Sequence, residues 1–224
     1  MAGSIRNNLQ NVSIGGNYVG GNQTIHHHHG NHASPAEDNT AAPSEGFTVF
    51  LSYRRTNSDT ADRIERRLSE AGLIVKRDIR DIPRWKSIRA FMQSIRDQDV
   101  AVLLISDEYL KSHACMYEVM EIMKEKNYHG RILPVVIEHG IYNKEKCTEY
   151  IAHWQRETEQ YKAAMHAIEP ENQAGMPEEL RQMKHIAASI GEFLQTVADM
   201  NNPDISDAGD AIIANLKQRN LLPR

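Results

Sequence analysis

Six consecutive apolar residues, Val100–Ile105, constrain the fold of this chain more than any other stretch. An unbroken apolar run of this length is typical of a strand buried on both faces, as in a parallel sheet covered by helices. After the turn Ser106-Asp107, apolar residues recur from Tyr109 to Met123 with helical spacing. The sequence therefore predicts a central parallel strand followed by a helix that starts with the heptapeptide from Ser112 to Glu118.

Strands and helices alternate on both sides of this central unit. The other predicted strands are Val49-Phe50-Leu51, Leu73-Ile74-Val75 and Ile132 to Ile137, and amphipathic helices are predicted from Ser58 to Gly72 and from Ile88 to Ile95. Such alternation predicts an α/β, flavodoxin-like parallel sheet with flanking helices. After Ile137, two long helical stripes and a short last helix replace the next strand and helix. Residues 139–224 are therefore predicted to be a helical C-terminal extension, and no fifth strand is assigned.

The charge and cysteine content exclude several classes of protein. A total of 26 Lys and Arg residues against 30 Asp and Glu residues gives a net charge of −4, which provides no general attraction for nucleic acid or an anionic membrane. The two cysteines, Cys115 and Cys147, cannot form a disulfide framework, and no apolar stretch is long enough to cross a bilayer. We therefore expect a cytoplasmic protein that binds neither nucleic acid nor membrane, and no metal site is assigned.

The first 46 residues differ in composition from the rest of the chain. They are rich in glycine and asparagine and nearly uncharged, so they cannot form a packed core. A short repeat within them, Ile14-Gly15-Gly16-Asn17 and Val19-Gly20-Gly21-Asn22, is β-prone, and identical chains in register would stack its asparagines as amide ladders. A flexible tail would have the same composition. Residues 1–32 are predicted to be an assembly motif and residues 33–46 a linker, while His26 to His29 are given no function.

This repeat region is similar to the amyloid signalling motifs of immune-type adaptor and effector proteins, including the RIP homotypic interaction motif. The segment Val12-Ser13-Ile14-Gly15 carries the resemblance, with Ser13 where that motif prefers glutamine. The resemblance implies self-assembly into a filament and a sensor protein with a like motif as a partner.

Glu118 differs from the other carboxylates of its predicted helix. It neighbours Cys115 on one side and Ile122 on the other, so it borders the apolar stripe, whereas Glu121 has Lys124 within reach. A carboxylate near the carboxyl end of a parallel strand lies where open α/β sheets bind ligands, and partial desolvation would raise its pKa. An ordinary solvated glutamate has the same spacing. Both interpretations stay open at this point.

The turn after the first predicted strand has the sequence Ser52-Tyr53-Arg54-Arg55. No Gly-x-Gly-x-x-Gly or Walker sequence follows any strand, so dinucleotide-binding and P-loop proteins are excluded for want of a phosphate cradle. A response-regulator receiver would need an acidic magnesium pocket at this turn. Two arginines and a tyrosine suit a phosphate and a stacked ring instead, although a solvated basic turn would have the same sequence.

Several segments together resemble the Toll/interleukin-1 receptor (TIR) domain in family order over residues 47–138. They are Phe50-Leu51-Ser52-Tyr53-Arg54-Arg55, Asp78 with Ile82-Pro83, Leu104-Ile105-Ser106-x-x-Tyr109-x-x-Ser112-x-x-Cys115-x-x-Glu118, and Ile132-Leu133-Pro134-Val135-Val136. The helices after residue 147 are similar to the extension of some bacterial members. The resemblance implies the TIR fold, with residues 47–138 as its core.

The resemblance also implies an activity, because one branch of the family cleaves the bond between nicotinamide and ribose in NAD⁺. The catalytic glutamate of that branch ends the Ser-x-x-Cys-x-x-Glu pattern, which makes it Glu118 in this chain. NAD⁺ would be the substrate, and no separate cofactor is needed. By the same resemblance, the residues lining the nucleotide pocket or shaping its wall would be Tyr53, Arg54, Arg55, Ser112 and Cys115.

The loop after the second predicted strand departs from the family pattern, because Arg84 and Trp85 follow Pro83 where a glycine is usual. In the family this loop reaches a neighbouring domain and completes the substrate site. The resemblance therefore implies a homo-oligomer held by TIR contacts, and Trp85 is a candidate for stacking on a base.

The sequence favours an NAD⁺ glycohydrolase that releases nicotinamide and either ADP-ribose or its cyclic form. Assembly through residues 1–32 would activate it, in cell-suicide immunity such as antiviral defence. A non-catalytic TIR adaptor would keep the fold and the contacts without turnover. A nucleoside-processing glycosidase is the third alternative, but Ser52 to Arg55 and Ser112 to Glu118 fit the TIR pattern together.

Overall fold

A four-stranded parallel sheet forms the centre of the fold. The computed structural model describes residues 46–77, 87–138 and 140–222. Its strands are β1 (Thr48–Ser52), β2 (Ile74–Arg77), β3 (Val100–Ile105) and β4 (Ile132–Val136), in the order β2-β1-β3-β4 with every pair parallel. This arrangement confirms the predicted flavodoxin-like α/β fold.

Helices cover both faces of the sheet. They are α1 (Ser58–Glu70), α2 (Ile88–Gln93), α3 (Asp107–Leu110), α4 (His113–Met123), α5 (Lys144–His166), α6 (Met176–Ala198) and α7 (Ala208–Gln218). On one face, apolar residues of α1 and α7 pack with Val49 and Leu51; on the other, those of α4, α5 and α6 pack with Phe50 and Leu103. Both faces of β3 are thereby buried, as its uninterrupted apolar sequence predicts.

The second strand begins one residue later than predicted, at Ile74 instead of Leu73. Leu73 belongs to the end of α1, because its N–H donates to the carbonyl of Leu68 and the N–H of Gly72 donates to that of Ser69. This is the hydrogen-bonding pattern of a Schellman cap, and it needs the left-handed backbone of Gly72, whose φ is +84°.

The apolar residues with helical spacing from Tyr109 to Met123 belong to two helices, and the second, α4, begins just after Ser112. This confirms the predicted helix that starts with the heptapeptide from Ser112 to Glu118. Ser106 caps the short α3 by accepting a hydrogen bond from the N–H of Tyr109 at 3.1 Å, and Ser112 caps α4 by accepting one from the N–H of Cys115 at 3.4 Å. Serine is a preferred N-cap because its hydroxyl accepts from the otherwise unbonded N–H groups of the first turn. The break places Ser112 at the start of α4, so Glu118 lies about one turn into that helix.

The second predicted amphipathic helix is also divided, since α2 ends at Gln93 and a 3₁₀ turn continues from Ser94 to Asp97. Beyond the sheet, α5 and α6 pack against each other, which confirms the helical C-terminal extension. The indole of Trp154 on α5 donates to the carbonyl of Leu110 at 2.8 Å and joins this extension to the end of α3. No helix among residues 46–77, 87–138 and 140–222 is long and apolar enough to span a membrane.

Pro134 lies in the middle of β4, opposite Leu103 of β3. The N–H of Ile137 donates to the carbonyl of Ile105, and the hydrogen-bonding direction alternates along a strand. The backbone position of Pro134 therefore faces away from β3, where its missing N–H removes no bond of the sheet.

Candidate active site

Glu118 lies at the carboxyl edge of the sheet, where the end of β1 meets α4. Ser52, the last residue of β1, donates a hydrogen bond from Oγ to Oε2 of Glu118 at 2.5 Å. Glu118 itself is half-buried, while Ser52 is only 1% exposed. The sheet thus fixes a carboxylate that still reaches the surface, at the edge where open α/β sheets bind ligands.

Tyr109 lies behind this pair and is fully buried. Its hydroxyl is 2.7 Å from Oγ of Ser52. Burial raises the pKa of Tyr109 well above its usual value, and electrostatic interactions with Cys115 and Glu118 raise it further. The phenol therefore stays protonated at any physiological pH.

Tyr53 is held at both its backbone and its hydroxyl. The backbone carbonyl of Tyr53 accepts a hydrogen bond from the thiol of Cys115 at 3.7 Å. The hydroxyl of Tyr53 accepts a hydrogen bond from Nη2 of Arg77 at 2.9 Å. The guanidinium of Arg77 also lies over the Tyr53 ring, 4.6 Å from its centroid. This cation–π contact fixes the plane of the ring, which packs on the apolar cluster between α1 and the sheet.

Arg77, the last residue of β2, is 1% exposed and lies among opposite charges. Its guanidinium contacts Asp62 at 2.7 Å and Glu65 at 2.6 Å, both on α1. Desolvation is the largest single effect on the pKa of Arg77 and lowers it. The hydrogen bonds that the guanidinium donates to Tyr53 and Asp62, together with the charge of Glu65, nevertheless raise the pKa above its usual value. A buried cation at the end of β2 therefore joins α1 to the candidate site.

The two predicted arginines differ in their surroundings. Arg54 is exposed, and its Nη1 donates to Oγ of Ser112 at 3.4 Å, which brings a positive charge to the start of α4. Arg55 is also exposed and begins a short 3₁₀ turn that ends at Asn57. The structure therefore brings Arg54 and Ser112 together but describes no equivalent contact for Arg55.

Cys115 packs in the wall of the site, between Ser112 and Glu118 on α4. Its thiol is buried, and burial together with the charge of Glu118 raises its pKa to about 12. A thiol with that pKa is not a thiolate at neutral pH and cannot act as a nucleophile. Its contact with Tyr53 gives it a packing role.

Glu121, one turn further along α4, is more deeply buried than Glu118. Its side chain is 3% exposed and contacts Lys124 at 2.6 Å, whereas Glu118 is half-buried. The apolar neighbours of Glu118 thus do not make it the more buried of the two; its proximity to Ser52 is what distinguishes it. Two cavities in the described part of the chain, of about 260 and 370 Å³, are lined by other residues.

Three residues of this region, Ser52, Tyr109 and Arg77, have no role predicted from the sequence. Ser52 and Tyr109 belong to the quoted motifs, and Arg77 follows Lys76 at the end of a strand, where a solvated cation would be expected. Ser52 could have been identified from its position, because it follows the apolar residues of a buried strand and a buried hydroxyl requires a hydrogen-bond partner. The predicted assembly motif (residues 1–32), most of the predicted linker (33–46), Asp78, Pro83 and Trp85 lie outside the described residues.

The arrangement as a whole suits a ligand that carries both positive and negative charge. Glu118 offers a fixed carboxylate, Arg54 an exposed cation at the mouth of the site, and Tyr53 an aromatic ring. A cationic or developing positive centre would lie against the carboxylate, while a phosphate would be neutralised by the guanidinium.

The chain is similar to known TIR domains. The TIR domains in the structure of the activated Roq1 resistosome, which directly recognizes the pathogen effector XopQ, align with this chain at 20% identity and a TM-score of 0.49, over 76% of this chain and 99% of that one. No curated protein matches the chain. The sequence profile described as TIR domain matches residues 49–168, more than half of the 224 residues, from β1 into the C-terminal extension. The chain belongs to the TIR domain family.

Proposed function

We propose that this protein cleaves the N-glycosidic bond between nicotinamide and ribose in NAD⁺, with Glu118 as the catalytic carboxylate. The observation that supports the proposal most is the half-buried carboxylate of Glu118, held by Ser52 at the carboxyl edge of the sheet. The backbone of Tyr53 and the side chain of Arg54 contact Cys115 and Ser112 at the start of the same helix, and we infer that they provide a ring and a cation to a nucleotide.

The chemistry requires little from the protein. When the bond between C1′ and the nicotinamide nitrogen breaks, its electron pair neutralises the positive charge of the leaving ring, so no general acid is needed. The ribosyl group becomes an oxocarbenium ion, and a nearby carboxylate stabilises its charge. Water then adds at C1′ and releases a proton, which gives ADP-ribose; attack by a nucleophile of the adenine ring would give a cyclic product.

Nicotinamide release tests the proposal directly. We expect purified full-length protein incubated with NAD⁺ to produce nicotinamide in amounts equal to the NAD⁺ consumed, measured by chromatography. The same separation distinguishes linear from cyclic ADP-ribose. Absence of nicotinamide from the assembled protein would contradict the proposal.

Replacing Arg54 with alanine should raise the KM for NAD⁺ about tenfold, because a charge-assisted hydrogen bond to a phosphate would be lost. Arg55→Ala should also raise KM if its guanidinium reaches the substrate. Neither change should alter the melting temperature much, since exposed charges contribute little to stability. Steady-state kinetics decide this prediction, with Arg66→Ala on the exposed side of α1 as the control. Unchanged kinetics in both variants would mean that the arginines form only a solvated turn.

We also propose that residues 1–32 gather copies of the protein into a filament that activates the TIR domains. Tethering raises the effective concentration of weakly interacting domains toward the mM range, which is enough to populate contacts absent between free chains. The β-prone repeat of residues 14–17 and 19–22 supports this role. A sensor with a like motif would provide the trigger, and NAD⁺ depletion in immunity would be the outcome.

Deleting residues 1–32 should lower the specific activity at low protein concentration and abolish thioflavin-positive fibres. Proline at Val12 and Ile14 should do the same, because it removes ladder hydrogen bonds. Raising the concentration or fusing an unrelated oligomerisation tag should restore part of the activity, which separates assembly from damage to the domain. Equal activity of the truncated and full-length proteins at every dilution would contradict this proposal.

The alternative is a TIR scaffold that recruits partners through homotypic contacts. The observation that favours this alternative is that Glu118 lines neither of the two cavities described above. A scaffold predicts assembly without any release of nicotinamide, so the same assay on the assembled protein separates the two functions.

A further inference from the structure

Tyr109, Ser52 and Glu118 form a continuous hydrogen-bonded chain that ends at the candidate catalytic carboxylate. The hydroxyl oxygens of Tyr109 and Ser52 are 2.7 Å apart, and Oγ of Ser52 is 2.5 Å from Oε2 of Glu118. Tyr109 is 0% and Ser52 1% exposed, so water does not compete for these bonds until the chain reaches Glu118. The three groups come from α3, β1 and α4.

The number of hydroxyl protons determines which group donates in each of these two hydrogen bonds. The single hydroxyl proton of Ser52 goes to the ionised carboxylate of Glu118, which can only accept. Ser52 must then accept from Tyr109, whose hydroxyl is protonated because burial and the charge of Glu118 raise its pKa. A proton on Oε2 of Glu118 would be donated to Ser52 and would reverse both bonds, and a proton on Oε1 would leave Ser52 with a neutral oxygen, a weaker acceptor than the carboxylate. The buried, protonated phenol thus favours the ionised carboxylate.

Other charged and titratable groups lie around Glu118 on α4 and on the turn after β1. The Cys115 thiol, on the same helix, is neutral at physiological pH, since its raised pKa is due to burial and to the charge of Glu118. The guanidinium of Arg54 lies on the other side, next to Ser112, and also acts on the Cys115 thiol. Arg54 is exposed, so it is a cation at the surface of the start of α4.

We propose that Ser52 and Tyr109 are positioning residues that hold Glu118 ionised and in one orientation. The inference rests on the proposed role of Glu118 in NAD⁺ cleavage. A carboxylate that is already charged and fixed needs no reorganisation when positive charge develops at C1′ of the ribose. Both residues act through Glu118, and Tyr109 acts only through Ser52.

Kinetics of three variants of the full-length protein test whether Tyr109 acts on Glu118 through Ser52. Ser52→Ala should lower kcat about 10- to 100-fold, as expected for loss of a hydrogen bond to a charged group, with KM within about twofold of wild type. Tyr109→Phe should lower kcat severalfold. The double variant should be no slower than Ser52→Ala alone, because without Ser52 the phenol has no route to Glu118. If the loss of kcat in the double variant equalled the product of the two single losses, Tyr109 would not act through Ser52 and the proposal would be overturned.

A matched control separates this role from general destabilisation. Tyr150→Phe removes another buried tyrosine hydroxyl that contacts a carboxylate, that of Asp107 at 3.0 Å, but leaves the chain to Glu118 intact. It should keep wild-type kcat. Thermal unfolding of every variant checks folding, and Tyr109→Phe keeps the buried ring even where Ser52→Ala fails to fold. A kcat for Tyr109→Phe equal to that of wild type would overturn the role of Tyr109.

A second readout does not depend on NAD⁺ cleavage. In protein with ¹³C-labelled glutamate, the carboxyl signal of Glu118 is identified by its loss in Glu118→Gln and is then titrated. Removing a donor to the charged form should move its midpoint to higher pH, by about one unit in Ser52→Ala and by less in Tyr109→Phe. An unchanged midpoint in Ser52→Ala would overturn the inference, whereas a shifted midpoint in a protein that releases no nicotinamide would overturn only the proposed activity.

Discussion

Replacing Glu118 with glutamine should lower nicotinamide release about a thousandfold while leaving the fold intact. Glutamine keeps the size of the side chain and can still accept a hydrogen bond from Ser52, but it removes the negative charge that would face the oxocarbenium ion. Losses of this size are typical when one preorganised group that stabilises transition-state charge is removed. Single-turnover measurement of nicotinamide release checks the prediction, and circular dichroism checks the fold.

Glu121→Gln is the matched control, because it makes the same chemical change one turn further along α4. Glu121 contacts Lys124, and in the described part of the chain it has no contact with Ser52. We therefore expect activity close to that of wild type. If a well-folded Glu118→Gln protein turned over NAD⁺ at the wild-type rate, the mechanism proposed above would be wrong.

Removing both carboxylates that contact Arg77, in an Asp62→Asn and Glu65→Gln double variant, should lower the free energy of unfolding by about 3 kcal/mol. The guanidinium is 1% exposed and cannot turn to water, whereas the two carboxylate side chains are 47% and 36% exposed. In this variant, the buried positive charge of Arg77 therefore loses the negative charges of Asp62 and Glu65 that neutralise it. Urea denaturation measures the effect.

Two comparisons show whether burial is the cause. Asp210→Asn breaks the exposed pair between Arg67 and Asp210, whose side chains are 45% and 64% exposed, and should cost less than about 1 kcal/mol. Arg77→Met removes the buried charge but keeps much of the volume, so it should be close to wild type in stability. It should nevertheless raise KM, because Tyr53 loses its hydrogen bond and its cation–π contact. Equal costs for the buried and exposed carboxylates would contradict this account.

The order of strands and helices could be predicted from periodicity because each element buries a regular apolar face. Val100–Ile105 coincides with β3, and the stripes after Ile137 correspond to α5 and α6. The boundaries depended on caps. The chain breaks between α3 and α4 because the hydroxyl of Ser112 bonds to the N–H of Cys115 in place of a backbone carbonyl. The spacing of apolar residues does not reveal such a break. A serine at this position is a signal for a helix start.

The candidate site could be predicted only in part. The motif pattern indicated Glu118, Tyr53, Arg54, Ser112 and Cys115, which the structure brings to one edge of the sheet. Arg77 was not predicted because its burial depends on two carboxylates from α1, which the register of β1 and β2 brings next to it. Such long-range pairing leaves no trace in local spacing.

Pro134 has a consequence for a protein proposed to work on a filament. Among the described strands β4 pairs only with β3, so its other side is an open edge where an incoming strand could add. The missing N–H at Pro134 faces that side and interrupts the row of donors that such a strand would need. If residues 1–32 form the proposed cross-β filament, Pro134 would protect β4 of each TIR domain from being recruited into its ladder. The domains could then be brought close together and still remain separately folded.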